Sequence, residues 1–457
     1  MIEIQIAGAG AGKTFDLAKS LIAHIKNSSI HKKTFALTYT NTATSKIEQE
    51  VIKQYGYIPH NLCIQTVHSF LLNEVVYPFS SYTLGDMYND ASIMPVGDPK
   101  YKAGLFKRLR EKNVIHAENV YNVSKQIVDE TVSRHNTIAK RKKVKRLLSI
   151  LENCFEKIFI DEVQDLDADA LRFFEVLGSN GINIYMIGDP KQAIKYPHAL
   201  DAFIDKVASV EYTTILEINN VTRRVPNEIL AISNRFCFEG QCQISSSTVI
   251  GELFYLESTD ENYDKHINSY IESKQIVCID KKNGKYSTSS KHRYSFPYEI
   301  EVMIREINDK KDKTLFVKAA FSDFMNGVYD LGSQKAIKNL IAQYSLKLEK
   351  HHFAQLYSLC EKCAEDNVKF KVSSIESVKG LDSDTCVIIL TTNTLRYLLK
   401  INLNKDDYFN KEWKKVYVAL TRAKQRLVLA LDHELLSSVD IEKIKNELET
   451  LGFKKYS

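Results

Sequence analysis

A short segment rich in glycine and alanine near the start of the chain constrains its fold more than any other feature. Residues Ala7–Thr14 read AGAGAGKT, the spacing of a phosphate-binding P-loop with alanine in the place of the first glycine. An apolar stretch at Ile2–Ala7 predicts a strand before this loop, and helical spacing predicts a helix from Lys13 to about Lys26. Small residues let backbone N–H groups surround phosphate oxygens, and the helix N-terminus adds positive potential. The segment therefore predicts a nucleotide-binding α/β domain.

Composition limits the class of protein further. The chain has 457 residues, 44% hydrophobic and 26% charged, which suits about two to four globular domains. Only 17 glycines and 8 prolines are present, so collagen-like and proline-rich flexible chains are excluded. The formal net charge of +5 permits nucleic-acid binding without requiring it. No apolar run reaches the roughly 18 residues of a membrane span, and the first residues lack the features of a signal peptide, so we expect a cytoplasmic protein.

Strands and helices are expected to alternate along the first half of the chain, which predicts a parallel sheet covered by helices. After Ile2–Ala7, the expected strands are Thr34–Thr38, Leu62–Thr66, Lys157–Ile160 and Asn183–Ile187. The alternation is interrupted at about 79–146, which predicts an inserted helical segment. That segment ends in KRKKVKR, Lys140–Arg146, a basic run that is either a solvated helix face or a surface that faces phosphates.

A second alternating region begins after Thr222. Residues 258–298 are rich in Asp, Ser, Asn, Lys and Tyr, and this composition predicts loops or short hairpins. Helical stretches are expected from there to about Ala364. The expected strands that follow are Phe370–Ile375, Thr385–Thr391 and Arg426–Leu431. The pattern predicts a second α/β domain in this half.

An acidic pair follows one of the apolar strands of the first half. The segment Lys157–Asp165 reads KIFIDEVQD and places Asp161 and Glu162 directly after the strand. In a chain with a P-loop, Thr14 and Asp161 are the expected oxygen ligands of Mg²⁺, and Glu162 is the group expected to orient and polarise the attacking water. Lys13 is expected to hold the β and γ phosphates of the nucleotide.

Seven segments, in their order along the chain, resemble the motifs of UvrD/Rep-type superfamily 1 DNA helicases. They are ALTYTNTATSKI (Ala36–Ile47), QTVHSF (Gln65–Phe70), IDEVQD (Ile160–Asp165), GDPKQAI (Gly188–Ile194), NNVTRRVPNEI (Asn219–Ile229), SIESVKGLDSD (Ser374–Asp384) and VYVALTRAKQRL (Val416–Leu427). With the P-loop they span nearly the whole chain. One such match arises easily by chance, whereas seven in order indicate the family.

The resemblance implies an α/β fold with two RecA-like P-loop NTPase domains, each with a parallel sheet, at about 1–220 and 221–457. The first would carry a helical insertion, the family's 1B subdomain, at about 79–146. ATP and Mg²⁺ would bind in the cleft between the two domains. The implied catalytic residues are Glu162, Gln192, Arg224 and Arg422, of which Gln192 senses the γ-phosphate and the arginines neutralise its charge. The implied nucleotide-binding residues are Ala9, Gly10, Ala11, Gly12, Lys13, Thr14, Arg223, Gly380 and Asp382.

The same resemblance implies contacts with single-stranded DNA. The candidate residues are Tyr39, Thr40, Asn41, Thr66, His68 and Tyr196. Aromatic rings at such positions stack on bases without reading their sequence. The alternative for Tyr39 and Tyr196 is packing inside the protein, and the alternative for His68 is a hydrogen bond at the start of a helix.

The chain departs from the family's pattern at several positions. Arg223 stands where the family has a tyrosine that stacks on adenine, and no adenine-reading glutamine segment precedes the P-loop, so the preference for ATP over other nucleotides is left open. Glu376 replaces a histidine that faces DNA, so that contact is expected to be lost or redirected. Where the family has an aromatic pair ending in tryptophan, this chain has Lys195 and Tyr196, and its single tryptophan is Trp413.

Length gives the largest departure. Arg224 and Lys379 are 155 residues apart, and roughly 100 of these residues are needed for a second RecA-like domain. We therefore expect the family's regulatory 2B subdomain to be reduced or absent, as a short, vestigial insertion at about 258–345. This compact form resembles the UvrD-like subunits that accompany an OLD-family nuclease in Gabija-type anti-phage systems.

The sequence therefore predicts an ATP-dependent single-stranded DNA translocase or helicase, with the family's 3′→5′ direction, that acts in phage defence or DNA processing with a nuclease partner. The alternative is a nucleotide-gated, DNA-sensing regulatory subunit of a nuclease complex with little unwinding of its own. The expected partners are single-stranded or partly duplex DNA and an OLD-family or other nuclease subunit, without a membrane.

Overall fold

The chain folds into two compact units. The computed structural model describes residues 1–27, 31–93, 100, 102–288, 295–307, 313–364, 369–438 and 440–456. What we call the main unit comprises Met1–Gly85, Tyr121–Asn283 and Val372–Ser457. The helical unit comprises Asp86–Val120 and Gly284–Lys371. All the sequence motifs described above lie on the main unit.

The first half of the main unit is built on a six-stranded sheet in which every strand pair is parallel. Central strands such as Phe155–Ile160 are buried along most of their length, because helices cover both faces of a parallel sheet. In spatial order the strands are Leu62–Thr66, Lys33–Thr38, Phe155–Ile160, Asn183–Gly188, Ile2–Ile6 and Thr213–Ile215. The helices of this half are Lys13–Ile25, Asn41–Tyr55, Val67–Phe70, Tyr77–Leu84, Val120–Val128, Ile138–Cys154, Ala168–Ser179 and Ala199–Val207, with a π-helical turn at Leu71–Val76.

The second half of the main unit is built on a second sheet, also with parallel pairs. Its strands in this unit follow the order Phe370–Ser374, Ile276–Ile279, Ser383–Leu390, Ala423–Leu431, Glu252–Glu257 and Lys454–Lys455. A separate parallel pair joins Val221–Thr222 and Ile244–Ser245. The helices of this half are Asn227–Ser233, Tyr263–Glu272, Thr392–Leu399, Lys411–Leu420, His433–Leu436 and Ile441–Thr450. Two parallel sheets with covering helices confirm the predicted α/β class and agree with two RecA-like domains.

The interpretation of residues 258–298 as loops or short hairpins was wrong. The structure has a helix at Tyr263–Glu272 and a buried parallel strand at Ile276–Ile279. The helix buries Tyr263, Ile267 and Tyr270, which have helical spacing. The residues between them are mostly polar, so the composition of the segment did not indicate a helix with an apolar face. Residues 289–294 of the interval lie outside the described part of the chain.

The helical unit has a hydrophobic core of its own. Its helices are Lys102–Glu111, Tyr298–Ile307, Lys313–Leu331, Ser333–Tyr344 and Lys350–Ala364, and its strands are Asp90–Ser92, Val114–His116 and Tyr286–Thr288. The core includes Phe296, Ile300, Phe324, Leu340 and Leu356. Lys112 pairs with Glu299 at 3.0 Å and the Tyr298 hydroxyl donates to Asp90 at 2.9 Å, so the two segments of the unit are tied together.

The extent of this unit differs from the short insertion expected at about 258–345. From its length, most of the interval before Lys379 is expected to belong to the second RecA-like domain. In the structure only Glu252–Glu257 and Ile276–Ile279 of the main unit's second sheet come from the first part of that interval, and most of that sheet follows residue 370. Residues 284–371 are therefore available to fold separately. Among the described residues, no helix is long and apolar enough to cross a membrane.

Candidate functional site

A pocket of about 450 Å³ lies where the two halves of the main unit meet. Because the strands of each sheet are parallel, the loops that follow them gather at one edge, and the motif residues gather with them. The pocket is lined by Gly10, Gly12, Lys13, Thr14, Phe15, Lys46, Glu162, Gln192, Arg223, Arg224, Ser247, Val249, Gly380, Asp382, Arg422 and Lys424. Six of these side chains are basic and two are acidic. The pocket therefore suits a polyanionic ligand, and its volume lies in the range of small-ligand sites.

The P-loop forms one wall of the pocket. Gly12 adopts a φ of 84°, which glycine tolerates better than other residues, and the helix Lys13–Ile25 begins directly after it. Lys13 Nζ donates to the carbonyl oxygens of Ala7 and Gly8 at 3.4 and 3.2 Å. The side chains of the candidates Ala9 and Ala11 are buried behind the loop, so only their backbone could serve a ligand.

Thr14 and Asp161 lie together at the base of the pocket. The Thr14 hydroxyl donates to Asp161 Oδ2 at 3.3 Å. Burial and the neighbouring Glu162 carboxylate, opposed by Lys13, raise the pKa of Asp161 to about 7. A buried carboxylate beside a hydroxyl offers the hard oxygen donors that Mg²⁺ prefers, and a divalent cation would favour the ionised carboxylate. The donor set therefore fits the magnesium site predicted from the sequence.

Glu162 occupies an unusual backbone conformation next to this pair. Its φ of 56° lies in the left-handed region, and its N–H donates to Asp161 Oδ1 at 2.8 Å. Gln164 Nε2 donates to Glu162 Oε2. Burial opposes ionisation, but the charges of Lys13, Lys379 and Arg422 outweigh it and hold the pKa of Glu162 below its usual range. An ionised carboxylate held at a strained turn suits a group that orients water.

Arg422 is the most deeply buried cation of the pocket. Its side chain is 1% exposed, and its guanidinium donates to the carbonyl oxygens of Val418 and Leu381, to Thr421 Oγ1 and to Gln192 Oε1 at 2.8 to 3.3 Å. All four acceptors are uncharged. Burial, together with the smaller effect of the nearby Arg224, lowers the pKa of Arg422 to about 10.

Arg224 and Asp382 form an ion pair across the pocket. Arg224 Nη2 lies 2.9 Å from Asp382 Oδ2, and Lys424 Nζ lies 2.8 Å from Asp382 Oδ1. Burial opposes ionisation of Asp382, but these two cations hold its pKa below the usual range. Lys46 Nζ donates to the Gly380 carbonyl at 3.3 Å, which links a helix of the first half to the second half. Arg223 is exposed at the pocket mouth.

Two of the candidate DNA-contacting aromatic residues lie on either side of one lysine. Lys195 Nζ donates to the Tyr39 hydroxyl at 2.6 Å and lies 5.1 Å from the ring centroids of both Tyr39 and Tyr196. Both rings are half-buried, so each packs on one side and shows part of its surface. The arrangement combines ring faces and a cation, which suits stacked bases and a phosphate backbone.

Three of the other four candidates have local structural roles. Thr40 Oγ1 accepts a hydrogen bond from Ala43 N at 3.2 Å and Thr66 Oγ1 accepts one from Ser69 N at 3.1 Å, so both threonines are N-caps of helices. Asn41 is exposed at the first position of its helix. The His68 ring packs against Tyr121 with centroids 4.6 Å apart, and its Nδ1 lies 3.3 Å from the Tyr121 hydroxyl. Their roles in DNA binding remain predictions.

Several residues of the site had no assigned role in the sequence prediction. The pocket lining also includes Phe15, Lys46, Ser247, Val249 and Lys424. Lys46 and Lys424 lie within two of the helicase-like segments and Phe15 directly follows the P-loop, so those segments were the signal that could have found these three. Tyr121 carried no signal, because it comes from the region expected to be an insertion.

The structure also explains the departures from the family pattern at Glu376 and Trp413. Lys411 pairs with Glu376 at 2.7 Å, and Trp413 is a core residue whose Nε1 donates to the Phe236 carbonyl at 2.9 Å.

Comparisons with known proteins found three similarities. A family model described as an AAA domain matches residues 2–197. The Gabija protein GajB of Bacillus cereus (strain VD045) is 24% identical over 507 residues, which cover 97% of this chain and 95% of that protein. A solved complex of the arterivirus nonstructural protein 10, a helicase, with DNA aligns at 12% identity and a TM-score of 0.37. That alignment covers 98% of this chain, which spans 62% of the length of the arterivirus protein.

Proposed function

From the premise that this chain is a UvrD-like helicase-family protein related to the Gabija protein GajB, we propose that it is an ATP-dependent single-stranded DNA translocase or helicase. ATP is hydrolysed in the pocket between the two halves of the main unit. The family's 3′→5′ direction is part of the proposal, and so is a role in phage defence or DNA processing with a nuclease partner.

The burial of Arg422 carries the proposal. Taking a guanidinium out of water costs several kcal/mol unless an opposite charge compensates it. Among the described residues, no carboxylate lies within ion-pair distance of Arg422, and its acceptors are carbonyl, amide and hydroxyl oxygens. The missing negative charge is expected from a ligand. The adjoining Lys13 and Arg224 point to a phosphate group as that ligand.

The other pocket residues have matching roles in the hydrolysis of ATP. Lys13 and the P-loop backbone hold the β and γ phosphates. Thr14 and Asp161 would hold Mg²⁺, which would supply positive charge against the phosphates. Glu162 orients and polarises the attacking water. The γ-phosphoryl group is reached by Gln192 from the first half and by Arg224 and Arg422 from the second half.

Nucleotide contacts from both halves provide a way to couple hydrolysis to movement. The γ-phosphate would draw the two halves together, and its loss would release them, because Arg224 and Arg422 belong to the half that lacks the P-loop. DNA held through Tyr39 and Tyr196 on the first half would then move relative to the second half. A single-stranded DNA translocase moves along the strand by such alternating changes in how its two halves bind DNA.

A second candidate is a nucleotide-gated, DNA-sensing subunit that regulates a nuclease. It is favoured by the similarity to GajB along nearly the whole of both chains and by the departures from the helicase pattern, such as Arg223 at the adenine position. In this case nucleotide and DNA would still bind at the same sites. Hydrolysis would be slow and unwinding negligible.

The rate of ATP hydrolysis, measured with and without a single-stranded DNA oligonucleotide, separates the two candidates. A translocase is expected to show Mg²⁺-dependent turnover that DNA stimulates strongly. ATP binding with negligible turnover that does not respond to DNA would overturn the translocase and support the regulatory subunit. Addition of a candidate nuclease subunit in the same assay then tests the proposed partner.

A further inference from the structure

Gln243 links the P-loop to the helix that precedes Arg422. Its side chain is 3% exposed, and Gln243 Nε2 donates to the carbonyl oxygen of Ala9 at 2.9 Å. Gln243 Oε1 accepts a hydrogen bond of 2.8 Å from the Tyr417 hydroxyl. Both ends of one buried amide are therefore used, one on each half of the main unit. Gln243 lies outside every motif that indicated the family.

The backbone of Gln243 is itself fixed. Asn234 Oδ1 accepts from Gln243 N at 2.8 Å, and Asn234 Nδ2 donates to the Gln243 carbonyl at 2.9 Å. This two-point contact by one side-chain amide sets the position from which Gln243 reaches the P-loop.

Gly8 provides an independent sign that Gln243 packs tightly on the P-loop. A Cβ atom built on Gly8 would lie 2.3 Å from Gln243 Nε2 and 2.6 Å from its Cδ. Gly8 does not adopt a positive φ, so its backbone would accept alanine. A side chain at this position would have to displace the Gln243 amide, which is buried and hydrogen-bonded.

From Tyr417 the contacts continue to the groups that face the γ-phosphate. Thr421 Oγ1 donates to the Tyr417 carbonyl at 3.0 Å and lies 2.9 Å from Arg422 Nη2, which donates to it. The Tyr417 hydroxyl also lies 3.4 Å from Asp189 Oδ2, which accepts from Gln192 Nε2 at 2.8 Å. Gln243 thus contacts the loop that holds the phosphates and the tyrosine that supports both Arg422 and Gln192.

We propose that Gln243 is a positioning residue. It fixes Arg422 and Gln192 relative to the P-loop, so that both side chains are correctly placed to contact the γ-phosphate. The inference deepens the proposed function and rests on it. Gln243 does not touch the nucleotide in this role. Its loss should therefore slow the chemical step, which depends on sub-ångström placement, more than it weakens ATP binding.

The first test is steady-state ATP hydrolysis by two isosteric variants. Gln243→Met keeps the volume and loses both hydrogen bonds, whereas Gln243→Glu keeps the acceptor for Tyr417 and places a carboxylate against the Ala9 carbonyl. Both should lower kcat by about tenfold to a hundredfold with KM for ATP changed less than about threefold. Tyr417→Phe should lower kcat too, and should add little to Gln243→Met. The matched control, Gln54→Met on an exposed helix position, should leave both parameters unchanged.

A rise in KM at unchanged kcat, or fully additive effects of the Gln243 and Tyr417 variants, would overturn the proposal. Thermal unfolding of each variant is measured alongside. A variant that loses turnover only in proportion to its loss of folded protein also counts against a positioning role.

The second test uses the contact between Gly8 and Gln243. Gly8→Ala should reduce turnover sharply, because the new Cβ displaces Gln243 and the loop. The double variant Gly8→Ala with Gln243→Ala should recover turnover to the level of Gln243→Ala alone. Absence of any recovery would show that Gly8 acts without Gln243, against the proposal.

A third measurement keeps the proposal testable if the wild-type chain does not hydrolyse ATP, that is, if the proposed function fails. Arg422 and Gln192 act on the γ-phosphate, so the ratio of ADP to ATP dissociation constants reports their placement in a protein that only binds nucleotide. Gln243→Met should lower that ratio as Arg422→Ala does, without a further effect in the double variant. An unchanged ratio would contradict the role of Gln243.

Discussion

Arg422 donates a hydrogen bond of 3.3 Å to the side-chain oxygen of Gln192, although the two residues are 230 positions apart in the chain. One comes from the second sheet's half of the main unit and the other from the first. The two groups predicted to read the γ-phosphate therefore meet directly beside the P-loop.

Removal of Arg422 should abolish turnover. Arg422→Ala is expected to lower kcat by roughly a thousandfold or more, since an arginine at the transferred phosphoryl group contributes about 10³–10⁵ in rate. Nucleotide binding should persist through Lys13. Arg426→Ala is the control, because Arg426 lies on the following strand and pairs with Glu252. The rate is measured as phosphate released over time. Near-normal turnover of Arg422→Ala would exclude its role at the γ-phosphate.

Variants of Glu162 and Lys13 should differ in their effect on ATP binding, although both should lose hydrolysis. Glu162→Gln removes the carboxylate that orients water and should lower kcat by about a hundredfold or more while the protein still binds ATP. Lys13→Ala should weaken ATP binding as well as abolish hydrolysis. Equilibrium binding of a fluorescent ATP analogue distinguishes them. Normal turnover in Glu162→Gln would refute the water-orienting role.

Tyr39 and Tyr196 should contribute to DNA affinity through their rings. Replacement of either by alanine should weaken binding of single-stranded DNA by about fivefold to a hundredfold, since stacking is worth about 1–3 kcal/mol per base, whereas phenylalanine should retain most of the affinity. Fluorescence anisotropy with a labelled oligonucleotide measures this. Tyr57→Ala is the control, because Tyr57 is an exposed ring past the opposite end of the helix that begins at Asn41. Equal losses for alanine and phenylalanine would indicate a role of the hydroxyl instead.

The basic run on the helix Ile138–Cys154 should face phosphates in the DNA complex. All six basic side chains from Lys140 to Arg146 are exposed. Reversing Lys142 and Arg146 to glutamate should weaken single-stranded DNA binding uniformly across sequences and reduce the slope of log K against log salt by about 0.7 per lost phosphate contact. The double variant Lys265→Glu with Lys443→Glu, at two exposed helix positions of the second half, is the charge-matched control. An unchanged salt slope would assign the run to a solvated face.

Glu299 should make the stability of the protein depend on pH. Burial would raise the pKa of Glu299, but hydrogen bonds from His351, Lys112 and His352 lower it from 4.5 to about 2. Since the folded-state pKa is the lower one, this stabilisation is present above about pH 4.5 and is lost as pH falls towards 2. Glu299→Gln should cost on the order of 2 kcal/mol at pH 7 and less than half as much at pH 3.

Thermal unfolding of the full chain at both pH values, compared with Glu301→Gln, checks this. His352 Nδ1 accepts the Glu349 N–H at 3.0 Å, so its Nε2 carries the proton that is donated to Glu299. Glu299 thus links Lys112, His351 and His352 by hydrogen bonds within the helical unit. A loss of stability independent of pH would show that the charge of Glu299 is not what stabilises it.

The sequence alone predicted the parts of the molecule that depend on local order. These parts are short sequence patterns: the P-loop, the acidic pair at the end of the strand Phe155–Ile160, and the segments that contain Arg224 and Arg422. Their spacing follows from how a strand ends and a helix begins. Parallel sheets then bring such loop residues to one edge, so the chemistry of the pocket could be anticipated from residues such as Lys13, Asp161 and Arg422.

The tertiary structure decided what depends on contacts between distant segments. Nothing in the neighbourhood of Gln243 along the chain shows that its amide reaches Ala9, 234 positions away, or that it packs against Gly8. The pairing of Lys195 with Tyr39 and the separate folding of residues 284–371 are of the same kind. Periodicity records which face of a segment is buried, but not what buries it, and side-chain amides carry no periodic signal at all.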